Sequence, residues 1–297
     1  MNRSEFLKLT ASAGLLACLP ISCIDLNTAK KLKLGYQLYS IRDQMEIDPI
    51  STLKALKAMG YEDFEHYGFD ADKSTYYGYK FKEFKKILDD LNLSISSGHY
   101  PFSGFLEKSN DELKRYVTKC IEGALIMNSA YITWPWVDPK FRNAEGFKII
   151  SEKLNVMGEQ ISKAGLKLAY HNHGYEFTDY GGENGFDIVT NETDVSLVKF
   201  QIDMYWLKRS AKLPIKDLIA TNPKRFVMWH IKDMDKVTDD YTELGNGSID
   251  YKSILPQLDT SGLDYYYIEQ GGNFTVNSTE SAKYSAAYFN THLKDLF

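Results

Sequence analysis

Short apolar runs alternate with longer amphipathic stretches along most of this chain. Eight runs have the length and composition of buried strands. They lie at 33–39, 62–67, 93–98, 130–134, 167–172, 198–203, 226–231 and 265–270. Between them, apolar residues recur at helical steps, as in YKFKEFKKILDDLN, and Asp, Ser or Asn stand at the starts of such stretches. The pattern therefore predicts eight strand–helix units.

The spacing of these units favours an α/β fold of one kind, the (β/α)8 TIM barrel. The units recur at intervals of roughly 30 to 40 residues, as in such barrels. No Pro/Gly/Ser-rich linker interrupts them, so we expect a single domain over 33–297. The first strand continues as GYQLYSIRD and lacks the Gly-rich turn of dinucleotide-binding sheets.

The first 23 residues are typical of an export signal rather than of the barrel. Arg3 and Lys8 precede the apolar stretch LTASAGLLACLPISC. The segment LLAC resembles a lipoprotein processing site that would place a lipid on Cys18, and NRSEFLK resembles a twin-arginine leader with one of its two arginines. We expect an exported protein, either periplasmic or a membrane-anchored lipoprotein; the alternative is an unprocessed amphipathic helix in a cytoplasmic protein.

Composition and charge exclude one class of partner. The chain is 43% hydrophobic and 25% charged, as in soluble globular proteins, and its net charge is −5. No basic run could follow a phosphate backbone, so we expect no nucleic acid partner. Cys120 is the one cysteine outside the leader, and its place in an amphipathic stretch predicts a core residue. The sequence leaves the number of subunits open.

The barrel prediction directs attention to the carboxyl ends of the strands, because the active sites of such barrels lie there. Five of the six histidines fall at or just past a predicted strand end. These are His66, His99, His171, His173 and His230. A single such histidine is usually structural, but five that face one mouth favour a functional site.

Acidic residues also end or follow the strands of the second half. Glu176 follows strand five with His173, Asp203 ends strand six, His230 ends strand seven, and Glu269 ends strand eight. Burying such groups without partners is costly. Three carboxylates and one imidazole suit a single divalent ion, namely Mn²⁺, Mg²⁺, Co²⁺ or Zn²⁺. Such an ion could stabilise the charge that develops when a carbon next to a carbonyl loses its proton.

Several motifs together resemble a known family. HNHGYE, the strand ending in Asp203, HIKD, ELGNGSID and IEQ follow one another in the second half. This order is similar to that of the sugar phosphate isomerase/epimerase family, the xylose-isomerase-like TIM barrels, over roughly residues 33–297. The pair HIKD and LGNGSID is the most specific part of the resemblance. Endonuclease IV has a similar architecture, but its DNA-binding surface is basic, and this chain is acidic.

The resemblance implies a role for each candidate residue. It implies that the metal ligands are Glu176, Asp203, His230 and Glu269. His173 would be the acid/base, with Glu176 or Glu269 as the partner in proton transfer. His99, His171 and Lys232 would contact the substrate; for Lys232, a surface ion pair with Asp233 or Asp235 is an alternative.

The chain departs from the family pattern at two positions. Many epimerases carry a Glu where this chain has His171, so either His171 or Glu176 could be the ligand from strand five. A third carboxylate matches a hard ion better, which favours Glu176. Trp206 stands where many members carry a His, so an aromatic wall for the substrate is expected there.

These features together predict a divalent-metal-dependent isomerase or epimerase. It would act on a free keto-sugar, cyclitol or related polyol through an enediolate. The alternative is a lyase or dehydratase that performs β-elimination on 3-keto-glycosides or inosose-like substrates with the same site. A third possibility is a barrel that only binds a saccharide.

Overall fold

The computed structural model describes residues 32–211, 214–221, 224–256 and 258–297. The predicted leader and Cys18 lie outside the described residues, so export and lipidation stay predictions. No helix in the described part of the chain combines the length and the apolar character needed to cross a membrane.

Eight parallel strands form the central sheet. In chain order, β1 to β8 are Gly35–Gln37, Asp63–His66, Ser94–Gly98, Tyr131–Trp134, Lys167–His171, Val198–Asp203, Phe226–Ile231 and Tyr265–Ile268. Their order in space is β3-β2-β1-β8-β7-β6-β5-β4. A parallel bridge between His99 and Thr133 joins β3 to β4, so the sheet is a nearly closed barrel. The strand positions and the barrel predicted from the sequence are confirmed.

Helices follow the strands in the manner expected of such a barrel. In chain order, α1 to α11 are Arg42–Ile47, Pro49–Ala58, Phe81–Asp90, Asn110–Met127, Ala144–Lys163, Gly185–Glu192, Met204–Ser210, Ile215–Thr221, Tyr251–Ile254, Leu258–Ser261 and Ser278–His292. Helix α4 shows how the sequence sets their ends. Ser109 and Glu112 form a capping box at its start, and Asn128 ends it in the left-handed conformation, with φ of 57°. Cys120 is buried on this helix, as predicted.

Side chains alternate between the barrel interior and the surrounding helices, because successive residues of a strand point to opposite faces. The lower interior is a small apolar cluster that includes Tyr131, Ala169, Met228 and Tyr267. Two residues further along their strands, the same interior face carries polar groups. The apolar floor therefore ends in a polar layer at the carboxyl ends of the strands.

Candidate active site

Four buried polar side chains meet at the carboxyl end of the barrel. They are His171 at the end of β5, Asp203 at the end of β6, His230 in β7 and Glu269 directly after β8. One potential ligand atom from each lies within 4.8 Å of the others. The strand register explains the convergence, since His230 pairs with Asp203 across β6 and β7. We call these four residues the acid–imidazole cluster.

Each member of the acid–imidazole cluster has one buried polar atom that makes no hydrogen bond of good geometry among the described residues, although three of these four atoms lie within ion-pair distance of a neighbouring side chain. These atoms are His171 Nδ1, Asp203 Oδ2, His230 Nδ1 and Glu269 Oε2. Lys232 pairs with the two carboxylate oxygens and Glu269 with His230 Nδ1, whereas His171 Nδ1 has neither a hydrogen bond nor an ion pair among the described residues, which is costly for a buried polar atom. A cation held between them would satisfy all four at once. Two imidazole nitrogens and two carboxylate oxygens also fit the donor sets of divalent metal sites.

Lys232 is the cation that the structure places beside the two carboxylates. Its Nζ lies 2.6 Å from Asp203 Oδ2 and 3.0 Å from Glu269 Oε2, and the side chain is 3% exposed. It therefore does not form the surface ion pair with Asp233 or Asp235 that the sequence left open.

Asp233 instead joins the two motifs that carried the family resemblance. Its carboxylate accepts hydrogen bonds from the backbone N–H groups of Gly245, Gly247 and Ile249. The HIKD segment is thereby fixed to the LGNGSID loop. This bonding holds the backbone next to Lys232 in place.

Glu65 lies beside the cluster and was not identified from the sequence. Its Oε2 accepts a hydrogen bond from Gln37 Nε2 at 2.6 Å and lies 2.6 Å from His230 Nε2 and 3.0 Å from His99 Nε2. Its Oε1 accepts from Gln201 Nε2 at 2.6 Å. Because Glu65 engages the Nε2 atom of His230, the Nδ1 atom is left for the cluster.

The alternation of residues in its own strand points to Glu65, one residue before the position that the sequence prediction selects. In the run EDFEHY, Asp63 and Glu65 share one face, and Phe64 and His66 share the other. The structure turns the first pair into the barrel and the second pair toward the helices. Reading that alternation would have selected Glu65 rather than its neighbour His66.

His66 does not face the mouth with the other histidines. Its ring packs between Tyr76 and Tyr100, with centroid distances of 4.5 and 4.9 Å, and lies against Gly98. Burial lowers the pKa of His66 to about 3, so the ring is neutral at physiological pH. His66 is a core residue on the helix side of the sheet, contrary to the sequence prediction.

Glu176 lies apart from the acid–imidazole cluster, although the sequence favoured it as a ligand. Its carboxylate accepts hydrogen bonds from Tyr170 Oη at 2.7 Å and from the backbone N–H of His173 at 2.8 Å. Tyr170 precedes His171 on β5 and therefore points to the helix side, and it holds Glu176 there. Burial raises the pKa of Glu176 to about 7. His171 occupies the place in the cluster that the sequence assigned to Glu176.

The remaining candidates surround the cluster. His173 packs against the rings of His171 at 4.9 Å and Trp206 at 5.8 Å, and its Nδ1 lies 3.3 Å from Tyr175 Oη. His99 lies with its ring centroid 5.1 Å from that of His171. Trp206 lies behind His173 and is not among the residues that line the pocket at the cluster, so its role as an aromatic wall for the substrate stays a prediction.

Burial and neighbouring charges set the protonation of the cluster. Burial holds the pKa of His171 well below its usual range, which keeps the imidazole neutral. Burial alone would also lower the pKa of His230, but Glu269 and Glu65 raise it to about 9. Burial would raise the pKa of Glu269, yet Lys232 and His230 hold it far below its usual range. Glu269 therefore keeps its negative charge at neutral pH, whereas burial raises the pKa of Asp203.

The charge balance of the buried groups also fits a divalent ion. A divalent ion on Nδ1 would displace the extra proton of His230 and leave the imidazoles neutral. The carboxylates of Glu65, Asp203 and Glu269 would then carry three negative charges against the one positive charge of the Lys232 ammonium, and all four groups are buried. Two uncompensated charges would be costly in this interior. One divalent cation would bring the sum to zero.

A pocket opens from the cluster to solvent, with a volume of about 740 Å³. His171, Lys232 and Glu269 line its inner part, together with His99 and His173. Such a volume lies within the usual range of about 300–1,000 Å³ for small-molecule sites. The pocket brings a ligand within reach of most of the candidate residues.

Fold and site together define a (β/α)8 barrel whose mouth holds a buried cluster of acids and imidazoles beneath an open pocket. The family model of xylose isomerase-like TIM barrels matches residues 53–291. The chain belongs to this family. The resemblance noted from the sequence motifs is thereby confirmed.

Individual relatives agree with the family. An inosose dehydratase from Clostridium beijerinckii is 28% identical over 217 residues, which cover 61% of this chain and 70% of that enzyme. A sugar phosphate isomerase/epimerase from Parabacteroides distasonis has a similar structure, with a TM-score of 0.77 at 26% identity over 90% of this chain and 96% of that one. The structure of the IOLI protein with a bound zinc atom shares the fold, with a TM-score of 0.68 at 15% identity over 90% and 99% of the two chains.

Proposed function

We propose that this chain is a divalent-metal-dependent sugar isomerase or epimerase. It moves a proton next to the carbonyl of a keto-sugar, cyclitol or related polyol. One observation carries the proposal: ligand atoms of His171, Asp203, His230 and Glu269 lie within 4.8 Å of one another, and the adjoining pocket is lined by His171 and Glu269 together with His173 and Lys232. Two similar proteins, a sugar phosphate isomerase/epimerase and an inosose dehydratase, support a reaction of this kind.

The ion would be held by His171, Asp203, His230 and Glu269. With two imidazoles in this set, Zn²⁺, Co²⁺ or Mn²⁺ fit better than Mg²⁺, which prefers oxygen ligands alone. The zinc atom of the IOLI structure supports this choice. When bound, such an ion polarises the substrate carbonyl as a Lewis acid.

His173 is the proposed base. In the tautomer whose Nδ1–H donates to the Tyr175 hydroxyl oxygen, Nε2 carries no proton and can take one from the carbon next to the carbonyl. The electron pair of that C–H bond then moves toward the carbonyl oxygen and gives an enediolate. The ammonium of Lys232 stabilises the developing negative charge. Delivery of that proton to the former carbonyl carbon, with the hydroxyl proton passing from one oxygen of the enediolate to the other, completes an isomerisation. Glu269 is the second group able to carry a proton.

Solvent exchange tests the proposed step directly. In D₂O, the wild-type protein with its metal should incorporate deuterium into a keto-sugar substrate, as followed by NMR. His173→Gln should slow exchange by roughly 10²- to 10⁴-fold, the usual contribution of a general base, and leave the bound metal in place. Glu269→Gln should abolish metal retention and exchange together.

The control is His292→Gln, which changes the exposed histidine on α11 far from the barrel mouth. It should exchange at the wild-type rate. A fully active Glu269→Gln variant would refute the assignment of the site.

The second candidate is a lyase or dehydratase that uses the same groups. Two observations favour it: His173 lies beside the cluster, and the inosose dehydratase is a relative. After the same deprotonation, water or an aglycone would leave from the adjacent carbon. Release of water or aglycone from the substrate indicates the lyase, whereas deuterium in an intact sugar indicates the isomerase.

A further inference from the structure

The pocket continues well beyond the acid–imidazole cluster. Its inner part carries His171, Lys232 and Glu269, and its outer part carries Tyr39 and Trp136. A volume of about 740 Å³ lies in the upper half of the usual range for small-molecule sites. The free sugar expected from the sequence would occupy only the inner part.

Trp136 is an exposed aromatic side chain on a fixed backbone. The side chain is 45% exposed, yet its carbonyl oxygen accepts hydrogen bonds from Trp134 Nε1 at 2.8 Å and from Ser103 Oγ at 2.5 Å. The Arg142 guanidinium lies 5.5 Å from the centre of its ring. Most large aromatic side chains in the described part of the chain are buried, so an exposed ring on a rigid support needs a reason.

Tyr39 provides a second exposed ring at the pocket rim. It is 44% exposed, and its backbone N–H donates to the side chain of Gln37 at 2.9 Å. Arg42 lies over its ring at 4.3 Å. Tyr39 follows β1 and Trp136 follows β4, three strands away around the barrel. The two rings therefore flank the mouth from different sides.

We propose that Trp136 and Tyr39 form a second subsite, which binds a sugar ring attached to the sugar that reacts. This rests on the proposed function, since the inner subsite holds the reacting sugar. Apolar C–H faces of a sugar ring can pack on an aromatic ring, and Asp138 and Ser103, which also line the outer pocket, offer hydrogen-bond acceptors to its hydroxyl groups. The substrate class is then a disaccharide-like glycoside rather than a free monosaccharide.

Binding of matched glycosides tests the subsite without any turnover. The ligands are methyl glycosides, phenyl glycosides and disaccharides built on glucose, galactose and mannose, titrated by calorimetry. For at least one sugar, the disaccharide should bind more tightly than the methyl glycoside. Trp136→Ala should weaken disaccharide binding by about tenfold, as expected for loss of one aromatic packing partner, and leave the methyl glycoside unchanged.

The matched control is Tyr284→Ala, because Tyr284 is 46% exposed and lies on α11, outside this pocket. It should leave all affinities unchanged. Trp136→Phe should retain most of the wild-type affinity.

Three results would overturn the subsite: equal affinity for methyl glycosides and disaccharides across the panel, no binding of either, or equal weakening of both by Trp136→Ala. Tighter binding of phenyl glycosides than of disaccharides would show that the subsite prefers an aromatic group to a sugar ring, and it would also contradict the proposal. The two proposals fail separately. Suppose that the disaccharide preference depends on Trp136 but no deuterium exchange occurs at any metal loading. The subsite would then be supported and the proposed isomerase activity refuted.

Discussion

At the scale of single residues, the side-chain alternation of each strand decides which groups reach the site. His171 points into the barrel, whereas Tyr170 before it points out and binds Glu176. The same rule places Glu65 beside the cluster and His66 among aromatic rings on the other face. Strand ends could be located from the sequence, but a position near an end does not show which way a side chain points.

Glu65 sets the orientation of His230, and this role leads to a prediction. Glu65→Gln keeps the size of the side chain but replaces one acceptor oxygen by an NH₂ donor. An amide N–H toward His230 Nε2 would shift the imidazole proton to Nδ1, the atom that faces the cluster. We expect Glu65→Gln to weaken Zn²⁺ affinity by roughly 10- to 100-fold, the usual effect of losing such a supporting carboxylate. Competition with a fluorescent chelator measures it.

Asp63→Asn is the matched control, because Asp63 is equally buried on the same strand face but bonds to serine side chains. The Zn²⁺ affinity of Asp63→Asn should stay at the wild-type value. Wild-type affinity in Glu65→Gln would show that His230 is held by other contacts.

At the scale of elements, one buried arginine ties a helix end to two strands. Arg225 directly precedes β7 and is 2% exposed. Its guanidinium donates hydrogen bonds to the carbonyl oxygens of Thr190 at 2.5 Å and Thr193 at 3.0 Å, and to that of Val198 at 3.4 Å. These carbonyls lie at the end of α6 and the start of β6. Arg225 therefore fixes the strand that carries Asp203 into the cluster.

Removing this arginine should cost stability. Arg225→Met leaves buried carbonyl groups without donors, so we expect the free energy of unfolding to fall by about 2–4 kcal/mol. Arg225→Lys keeps the charge but has a single donor nitrogen, so its free energy of unfolding should fall by less than that of Arg225→Met. Urea unfolding followed by circular dichroism measures both. A change below about 0.5 kcal/mol in Arg225→Met, the level of an ordinary surface substitution, would contradict this role.

At the scale of the whole molecule, the barrel could be predicted from the sequence because it depends on local periodicity repeated eight times. Asp203, His230 and Glu269 could be predicted with it, since each lies within one residue of the end of its strand and faces the interior. The choice between His171 and Glu176 could not, because it depends on a contact between Glu176 and Tyr170 that only folding brings about. The outer pocket depends likewise on loops from distant parts of the chain.

The central claim is that the acid–imidazole cluster binds one divalent ion and that His171, rather than Glu176, supplies the ligand from β5. The most direct measurement is the zinc content of purified wild-type, His171→Ala and Glu176→Gln proteins after loading and dialysis, by atomic emission. We predict about one ion per chain for the wild type and for Glu176→Gln, and near-complete loss for His171→Ala, as expected for a four-ligand site. Retention by His171→Ala together with loss by Glu176→Gln, or a wild-type protein that holds no ion, would contradict the account.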